Sequence, residues 1–410
     1  MNTHVHMAVL SFTLLIILAS QISLSFAPYS SNKTIAASGI IKEKVVEPTR
    51  IRKHLVAYGV SFTDETADFI ASHFDVVDTS YEVAALTIYK IKALNPDVII
   101  LMYRDIMGVS PSRKDWPEVN SHEDWFLHDI SGNRLIHKKW GWYAMDVGNP
   151  GWRMYYANYC KNKLDSYPAF DGIFADDVWE WHDYHNTVWT VDRSLVPPEI
   201  QQRWRNDMVE MIQYVKSVLG SKLLILNTND WSGDYLKYAD GMMFEGFVHA
   251  SWWELDYFGW DGFNPLNHID TLANLSSTGK YFLAHSGAKI PDNPTQADID
   301  KAKNMMIYCL ASYLLGVNGE KATFGFNNIY SKDGSRGYYP EFDVPLGSPI
   351  NDYYLLASVY SRDFENGKVL VNPTTSSYTV DLDSEYKTLD GQTVSNVTLD
   401  AHSGVILFRL

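Results

Sequence analysis

Several polar residues stand where short apolar runs end. Asp176 and Asp177 follow Gly172-Ile-Phe-Ala, and Glu245 follows Gly241-Met-Met-Phe. Asn227 closes Leu223-Leu-Ile-Leu, His285 closes Tyr281-Phe-Leu-Ala, and Tyr103-Arg104-Asp105 close the run that begins at Val98. Two carboxyl groups brought into one cleft can do acid–base chemistry. One, kept protonated, hands a proton to a leaving oxygen; the other, kept ionised, attacks or activates water. Cleaving a glycosidic bond needs such a pair, with the two pKa values pushed apart by their surroundings. An Asp after a strand has a plainer reading as the N-cap of the next helix, and Asp177 fits that role. Glu is a poor cap, and Glu245 sits among the uncharged Phe244, Gly246 and Phe247. The expected catalytic pair is therefore Asp176, as nucleophile or base, and Glu245, as general acid. The reverse assignment is open, and Asp177, Asp230 or Glu254 stand as replacements. Tyr58, Arg104, Trp179, Asn227 and His285 are candidate substrate contacts.

These residues share a cleft only if the runs are parallel strands of one barrel. Eight apolar runs alternate with amphipathic stretches, beginning at His54, Phe74, Val98, Gly172, Leu223, Gly241, Tyr281 and Thr323. The clearest helical stretches start near Pro150, Pro198 and Pro294, where proline is tolerated because the first-turn N–H has no helical partner. Eight such units predict a (β/α)8 TIM barrel, in which strand carboxyl ends converge on one face. No Gly-rich phosphate loop follows the first run, which disfavours an open doubly wound sheet. Past residue 350 the pattern changes to a helical remnant, Asn351 to Val359, and then short alternating strands with Asn/Asp–Gly turns. A small C-terminal antiparallel β-sandwich-like domain is expected there. The predicted division is 1–27 as signal peptide or N-terminal membrane anchor, 28–50 as linker, 51–350 as barrel and 351–410 as C-terminal β domain.

Charge and composition narrow the partners. The formal net charge is −15, and no basic stripe is present. Binding to nucleic acid is excluded as a main role, because it depends on Lys and Arg neutralising phosphates. The two cysteines, Cys160 and Cys309, fall in helical stretches and read as buried free thiols. Asp176, Asp177 and His182 are the one candidate metal set, but no HxH or HExxH spacing supports it, and neither metal nor cofactor is expected. Residues Met7 to Ala27 are apolar enough for a signal peptide, and nearly long enough to cross a bilayer. Either reading places the folded part outside the cytoplasm or at the cell surface. Sequons at Asn32, Asn274 and Asn396 agree. The long segment from Met107 to Asn149 carries Trp116, Trp125, Trp140, Trp142 and Tyr143. A sugar-binding wall is its functional reading, a packed lid its plainer one.

Four segments in this order carry a family likeness: Asp124-Trp-Phe-Leu-His-Asp-Ile-Ser-Gly-Asn133, Tyr143-Ala-Met-Asp-Val-Gly-Asn-Pro150 with Trp152, Phe170-Asp-Gly-Ile-Phe-Ala-Asp-Asp177, and Tyr360 to Pro373. Together they resemble the barrel proteins called hypothetical glycosyl hydrolase family 15, over about residues 54 to 410. The Asp-Gly-Ile-Phe-x-Asp motif alone is shared with several sugar-hydrolysing barrels, including those resembling polygalactosaminidases. The resemblance implies a glycosidase-like barrel without a defined substrate, and places Asp176 on the motif's catalytic aspartate. Glu245 rests on strand position instead. The expected function is hydrolysis of an extracellular or cell-surface polysaccharide by two carboxylates. The rivals are a non-catalytic glycan-binding barrel, such as a surface-layer component, and a metal-dependent hydrolase such as a deacetylase.

Overall fold

The computed structural model describes residues 50–57, 62–84, 86–180, 193–228, 233–251, 265–288, 290–291, 293–326 and 336–410. Eight parallel strands form one sheet in sequential order: β1 (His54–Val56), β2 (Val76–Thr79), β3 (Ile99–Asp105), β4 (Gly172–Asp176), β5 (Leu223–Asn227), β6 (Gly241–Ser251), β7 (Tyr281–Ala288) and β8 (Ala322–Phe326). The sheet closes on itself: the Phe324 amide donates to the Arg52 carbonyl at 2.9 Å, and Lys53 bridges Phe324 in parallel. The fold is the expected (β/α)8 barrel. Between the strands lie α1 (Asp64–His73), α2 (Thr87–Leu94), α3 (Pro150–Ser166), α4 (Pro198–Leu219), α5 (Pro265–Ser277) and α6 (Gln296–Gly316). Pro150 and Pro198 are first residues of their helices. Pro294 instead precedes the N-cap Thr295, whose side chain forms a capping box with Asp298.

Side chains alternate across each strand, and both faces are buried, as parallel strands between helices require. Leu55, Val77, Ile100, Met102, Ile173, Leu224, Met242 and Phe282 join the outer core against the helices. Val56, Val76, Leu101, Phe174, Ile225, Met243 and Leu283, one from each of β1 to β7, pack together in the barrel interior. The next inward position on each strand lies two residues further on, toward the carboxyl end. On β2 to β7 it holds Asp78, Tyr103, Asp176, Asn227, Glu245 and His285, all polar, directly above an apolar floor. The residue two beyond Val56 of β1 is Tyr58, which lies outside the described residues.

The opposite mouth has its own aspartates, which do structural work. Asp75, before β2, accepts from the Lys53 amide at 2.8 Å and pairs with Arg50 and Arg52. Asp171, before β4, accepts from the Ile100 amide and pairs with Lys92 at 2.8 Å. Asp240, before β6, accepts from the Leu224 amide and pairs with Lys216 at 2.7 Å. Each amino-end carboxylate thus has a cation and a backbone donor.

Six antiparallel strands follow the barrel: β9 (Tyr354–Leu356), β10 (Val359–Phe364), β11 (Gly367–Asn372), β12 (Tyr378–Lys387), β13 (Thr393–Leu399) and β14 (Ser403–Arg409), in the order β9-β10-β11-β14-β12-β13. The helical remnant expected over 351–359 is instead strand β9 and a turn, with Ala357 in the left-handed region at φ 55°. Val369, Val371 and Ile406 join the barrel's core. On the other face Val359, Leu370 and Leu407 meet Val380, Tyr386, Val397 and Leu399 in a second core, so the sheet curls over itself. Helix α6 is buried almost completely from Tyr308 to Gly316. Its Ala311 lies so close to Gly404 that a Cβ there would come within 2.7 Å. Arg362 on β10 donates to the carbonyls of Leu314, Leu315 and Val317 at 3.1, 3.0 and 2.7 Å, satisfying the end of α6.

Both cysteines are free and buried. Among the described residues no helix is long and apolar enough to cross a membrane; the apolar N-terminal segment lies outside them.

Candidate active site

Asp176 is the last residue of β4, and its carboxylate faces inward because Phe174, two residues earlier, does. Its Oδ2 accepts from the Tyr103 hydroxyl at 2.7 Å, and its Oδ1 accepts from Asn227 Nδ2 at 2.7 Å. The same Asn227 nitrogen donates to Glu245 Oε2 at 2.7 Å. An amide nitrogen carries two hydrogens, one for each carboxylate. The two acceptor oxygens are therefore no more than twice that bond length apart. Asp176 and Glu245, expected to meet from their positions at strand ends, are brought together by Asn227, which bonds to both.

The two acids differ in their surroundings. Burial pushes the Asp176 carboxyl above its usual range, while the bonds from Tyr103 and Asn227 pull it back down. Glu245 has one donor in place of two, and burial together with the Asp176 charge pushes it up to about 7. Hydrogen bonds to a carboxylate favour its ionised form, and burial or a like charge disfavours it. Asp176 is the better-held anion of the pair, and Glu245 the better proton carrier.

The backbone after Glu245 is irregular. The pairing of β6 with β7 shifts between Glu245 and Ala250. Gly246 has φ 102°, and Val248 has φ 63°, costly for a β-branched residue. The Val248 amide donates to His268 Nδ1 of α5 at 3.1 Å, which holds the bulge. Bulges beside functional groups re-aim the preceding side chain.

A further carboxyl pair lies behind Asp176. Asp105 Oδ1 accepts from the amides of Met107 and Gly108 at 2.9 and 2.5 Å. Gly108 is needed there, since a Cβ would stand 2.1 Å from Asp105 Oδ2. Burial and the charge of Asp176 push Asp105 up to about 7. Asp177 rises well above its usual range through burial and its acidic neighbours. It has φ 57° and accepts from Trp179 Nε1 at 2.7 Å, and does not cap α4, whose N-cap is Pro197.

The remaining sequence candidates separate. Asn227 holds the pair. His285 Nδ1 lies 3.1 Å from His54 Nε2, and His54 Nδ1 lies 2.9 Å from Thr323 Oγ1. Burial lowers both imidazoles, His285 to about 3, so the two rings are neutral. His285 is inward but only 1% exposed, engaged with its neighbour. Trp179 is half-buried, its indole on Asp177 and its carbonyl accepting from Trp204. Arg104 is not brought to the cleft. It points outward, 1% exposed, paired with Asp115 at 2.8 Å and lying over the Tyr159 ring of α3. Strand alternation is the reason: Tyr103 and Asp105 take the inward positions, and Arg104 between them must face the helices. Tyr58, His182, Asp230 and Glu254 lie outside the described residues. Among the described residues no group of three or more His, Cys, Asp or Glu has the arrangement to hold a metal ion. Tyr103 and Asp78 were missed as inward residues. The signal that finds them is the two-residue step from the apolar layer.

The aromatic segment after β3 divides as well. Trp125 is buried beside Trp152 and Tyr155, and Trp116 stacks on Tyr143 with ring centres 5.0 Å apart. Trp140 instead is 53% exposed at a turn tip, stacked on Trp142 at 5.9 Å and 18°.

Residues 92–368 match the family described as hypothetical glycosyl hydrolase family 15. Among solved structures, the fold is similar to the glycoside hydrolase domain of PelA from Pseudomonas aeruginosa, with 13% identity over 70% of this chain and 97% of that one, at a TM-score of 0.48. Ega3 of Aspergillus fumigatus, solved with galactosamine, gives 12% identity over 69% and 93%, at 0.45. A noncanonic maltogenic alpha-amylase, AmyB from Thermotoga neapolitana, gives 12% identity over 87% and 98%, at 0.48. No curated protein matches the chain in sequence.

Proposed function

The chain belongs to hypothetical glycosyl hydrolase family 15 and is a glycosidase; from that premise we propose that it cleaves a polysaccharide by double displacement, with Asp176 as nucleophile and Glu245 as general acid. The observation that carries the reading is the amide of Asn227 bonded at 2.7 Å to both carboxylates. Retaining glycosidases keep their two carboxyl groups about 5–5.5 Å apart, whereas inverting ones leave about 6.5–9.5 Å to admit a water between acid and base. A shared donor supports the shorter spacing. Tyr103 and Asn227 stabilise the charge that Asp176 must carry to attack the anomeric carbon. Glu245, held near neutrality, protonates the leaving oxygen; as an anion it then draws a proton from the water that releases the glycosyl-enzyme ester.

The site of action is proposed to be outside the cytoplasm. The support is the apolar segment from Met7 to Ala27, and fractionation of cells making the full chain tests it. Either a released or a surface-held product agrees; a cytoplasmic one does not.

The catalytic reading is tested with a broad glycan panel and activated aryl glycosides. Asp176→Asn should abolish turnover of both, since Asn keeps volume and hydrogen bonding but cannot attack. Glu245→Gln should spare aryl glycosides with good leaving groups, which need little protonation. The first-formed product should keep its anomeric configuration by NMR. Near wild-type turnover by Asp176→Asn would remove it from the mechanism.

A further inference from the structure

Three carboxyl groups of the inward polar ring see one another: Asp78, Asp176 and Glu245. They differ in hydrogen-bond donors. Asp176 has two, Tyr103 and Asn227, and Glu245 has one. Asp78 has none: among the described residues neither of its oxygens has a partner, although the residue is only 1% exposed. The floor supplies no reason for an acid there. Val76, two residues earlier, packs among Val56 and Leu101, and Asp78 itself is in register with both of these.

We propose that Asp78 is a substrate-binding residue whose carboxyl group bonds hydroxyl groups of the sugar ring seated between Asp176 and Glu245. This rests on the glycosidase reading of the same site and adds to it the group that recognises the ring.

A buried polar group without a partner costs free energy that nothing in the folded chain returns. The bottom-mouth aspartates show the structural alternative, each with a cation and a backbone N–H. Asp78 has no cation, and the Ala57 amide is the one backbone donor that favours its ionised form, without reaching hydrogen-bond geometry at either oxygen. Burial and then the charge of Asp176 push the Asp78 carboxyl well above the usual range, and the Ala57 amide pulls it only partly back. A neutral carboxyl both donates and accepts, as a sugar hydroxyl does, so the two form a reciprocal pair. An ionised Asp78 would instead repel the anion that Asp176 must be. The site thus carries three carboxyls whose pKa values burial raises, with side-chain donors on Asp176 and Glu245 and none on Asp78.

The test compares Asp78→Asn, which keeps a donor and an acceptor, with Asp78→Val, which keeps strand propensity and has neither. Both are made in the full chain and measured for melting temperature and for kcat/KM on the panel glycan that wild type hydrolyses. Both should melt at or above wild type, because no bond within the protein is lost. Asp78→Val should lose about 10- to 100-fold in kcat/KM, the scale of an unmade hydrogen bond in a desolvated site. Asp78→Asn should recover most of that loss. Unchanged kcat/KM in Asp78→Val overturns the proposal, as does a fall in melting temperature in Asp78→Asn. Binding of the same panel by Asp176→Asn, with and without Asp78→Val, needs no turnover. Asp78-dependent binding without hydrolysis by wild type sinks the catalytic reading and keeps this one; no binding and no hydrolysis sinks both.

Discussion

Asn227 Nδ2 lies 2.7 Å from Asp176 Oδ1 and 2.7 Å from Glu245 Oε2, so the spacing of the two acids is governed by one neutral amide. An amide in this place separates the carboxylates without adding charge. Asn227→Ala should lower kcat/KM about 10- to 100-fold, since a hydrogen bond to a charged group contributes about 1.5–3 kcal/mol. Asn227→Asp should do worse, because it replaces a donor with a third anion between two others. If both variants keep wild-type kcat/KM, the amide does not organise the pair.

The activity should follow a bell in pH. Glu245, pushed up to about 7 by burial and by Asp176, must be protonated in its proposed role as general acid, so kcat/KM should fall as pH rises through about 7. The acid limb should mark protonation of Asp176, above the usual carboxyl range. Glu245→Gln should lose the alkaline limb on activated substrates.

The same shifts bear on stability. Glu245 and Asp105 bind protons more tightly folded than unfolded, both with values pushed up to about 7. The unfolded chain therefore releases these protons first. Stability should decline as pH climbs from the ordinary carboxyl range to about 7 and level off above it. Urea midpoints across that window measure the slope, which Glu245→Gln should flatten; a slope unchanged in that variant would count against the assignment.

Trp140, exposed at the tip of a turn held by His137 and Trp142 backbone bonds of 2.8 Å, is the ring of the aromatic segment proposed to stack on a sugar. Trp140→Ala should cost about three- to tenfold in kcat/KM on polysaccharide, the range of aromatic stacking, with much less effect on small aryl glycosides. Equal losses on both substrates would show that the ring serves structure instead.

Arg362 should matter for stability alone. It is 5% exposed and satisfies three carbonyls at the end of α6. Arg362→Ala should destabilise by about 2–4 kcal/mol, as expected for stripping a buried cation from several acceptors. Urea unfolding should remain one transition, since α6 is core to barrel and sheet alike; two transitions would show the sheet to be an independent unit.

Much of this was legible in the sequence, and the losses have physical causes. Strand ends were visible because apolar runs of β4 to β7 stop on polar residues, which placed Asp176, Asn227, Glu245 and His285. On β3 three polar residues follow one another, and a run's edge does not say which of them faces inward. Arg104 is the candidate the run's edge offers, whereas Tyr103 faces inward, and one residue along a strand turns the side chain to the other face. Asp78 sits in Val-Val-Asp-Thr, too short a strand for its period to show. The bulge after Glu245 depends on His268, distant in the chain, and leaves no local mark. The turn at Ala357 is equally silent, which is why 351–359 read as helix.

The polar ring stands one strand period above an apolar layer, and that offset bears on how such a site can change over generations. Of its members Tyr103 packs on the floor, stacked on Phe174, whereas the three carboxyls are not part of that apolar cluster. Several ring members are a burden on folding: Asp78, Glu245 and the neighbouring Asp105 are all carboxyls that burial resists ionising. Losing one of them removes that burden, leaving a reserve against a less favourable substitution nearby. A lineage can therefore drift in which sugar it accepts without first becoming unstable, whereas drift in the floor, where each residue packs against its neighbours on adjacent strands, is penalised at once.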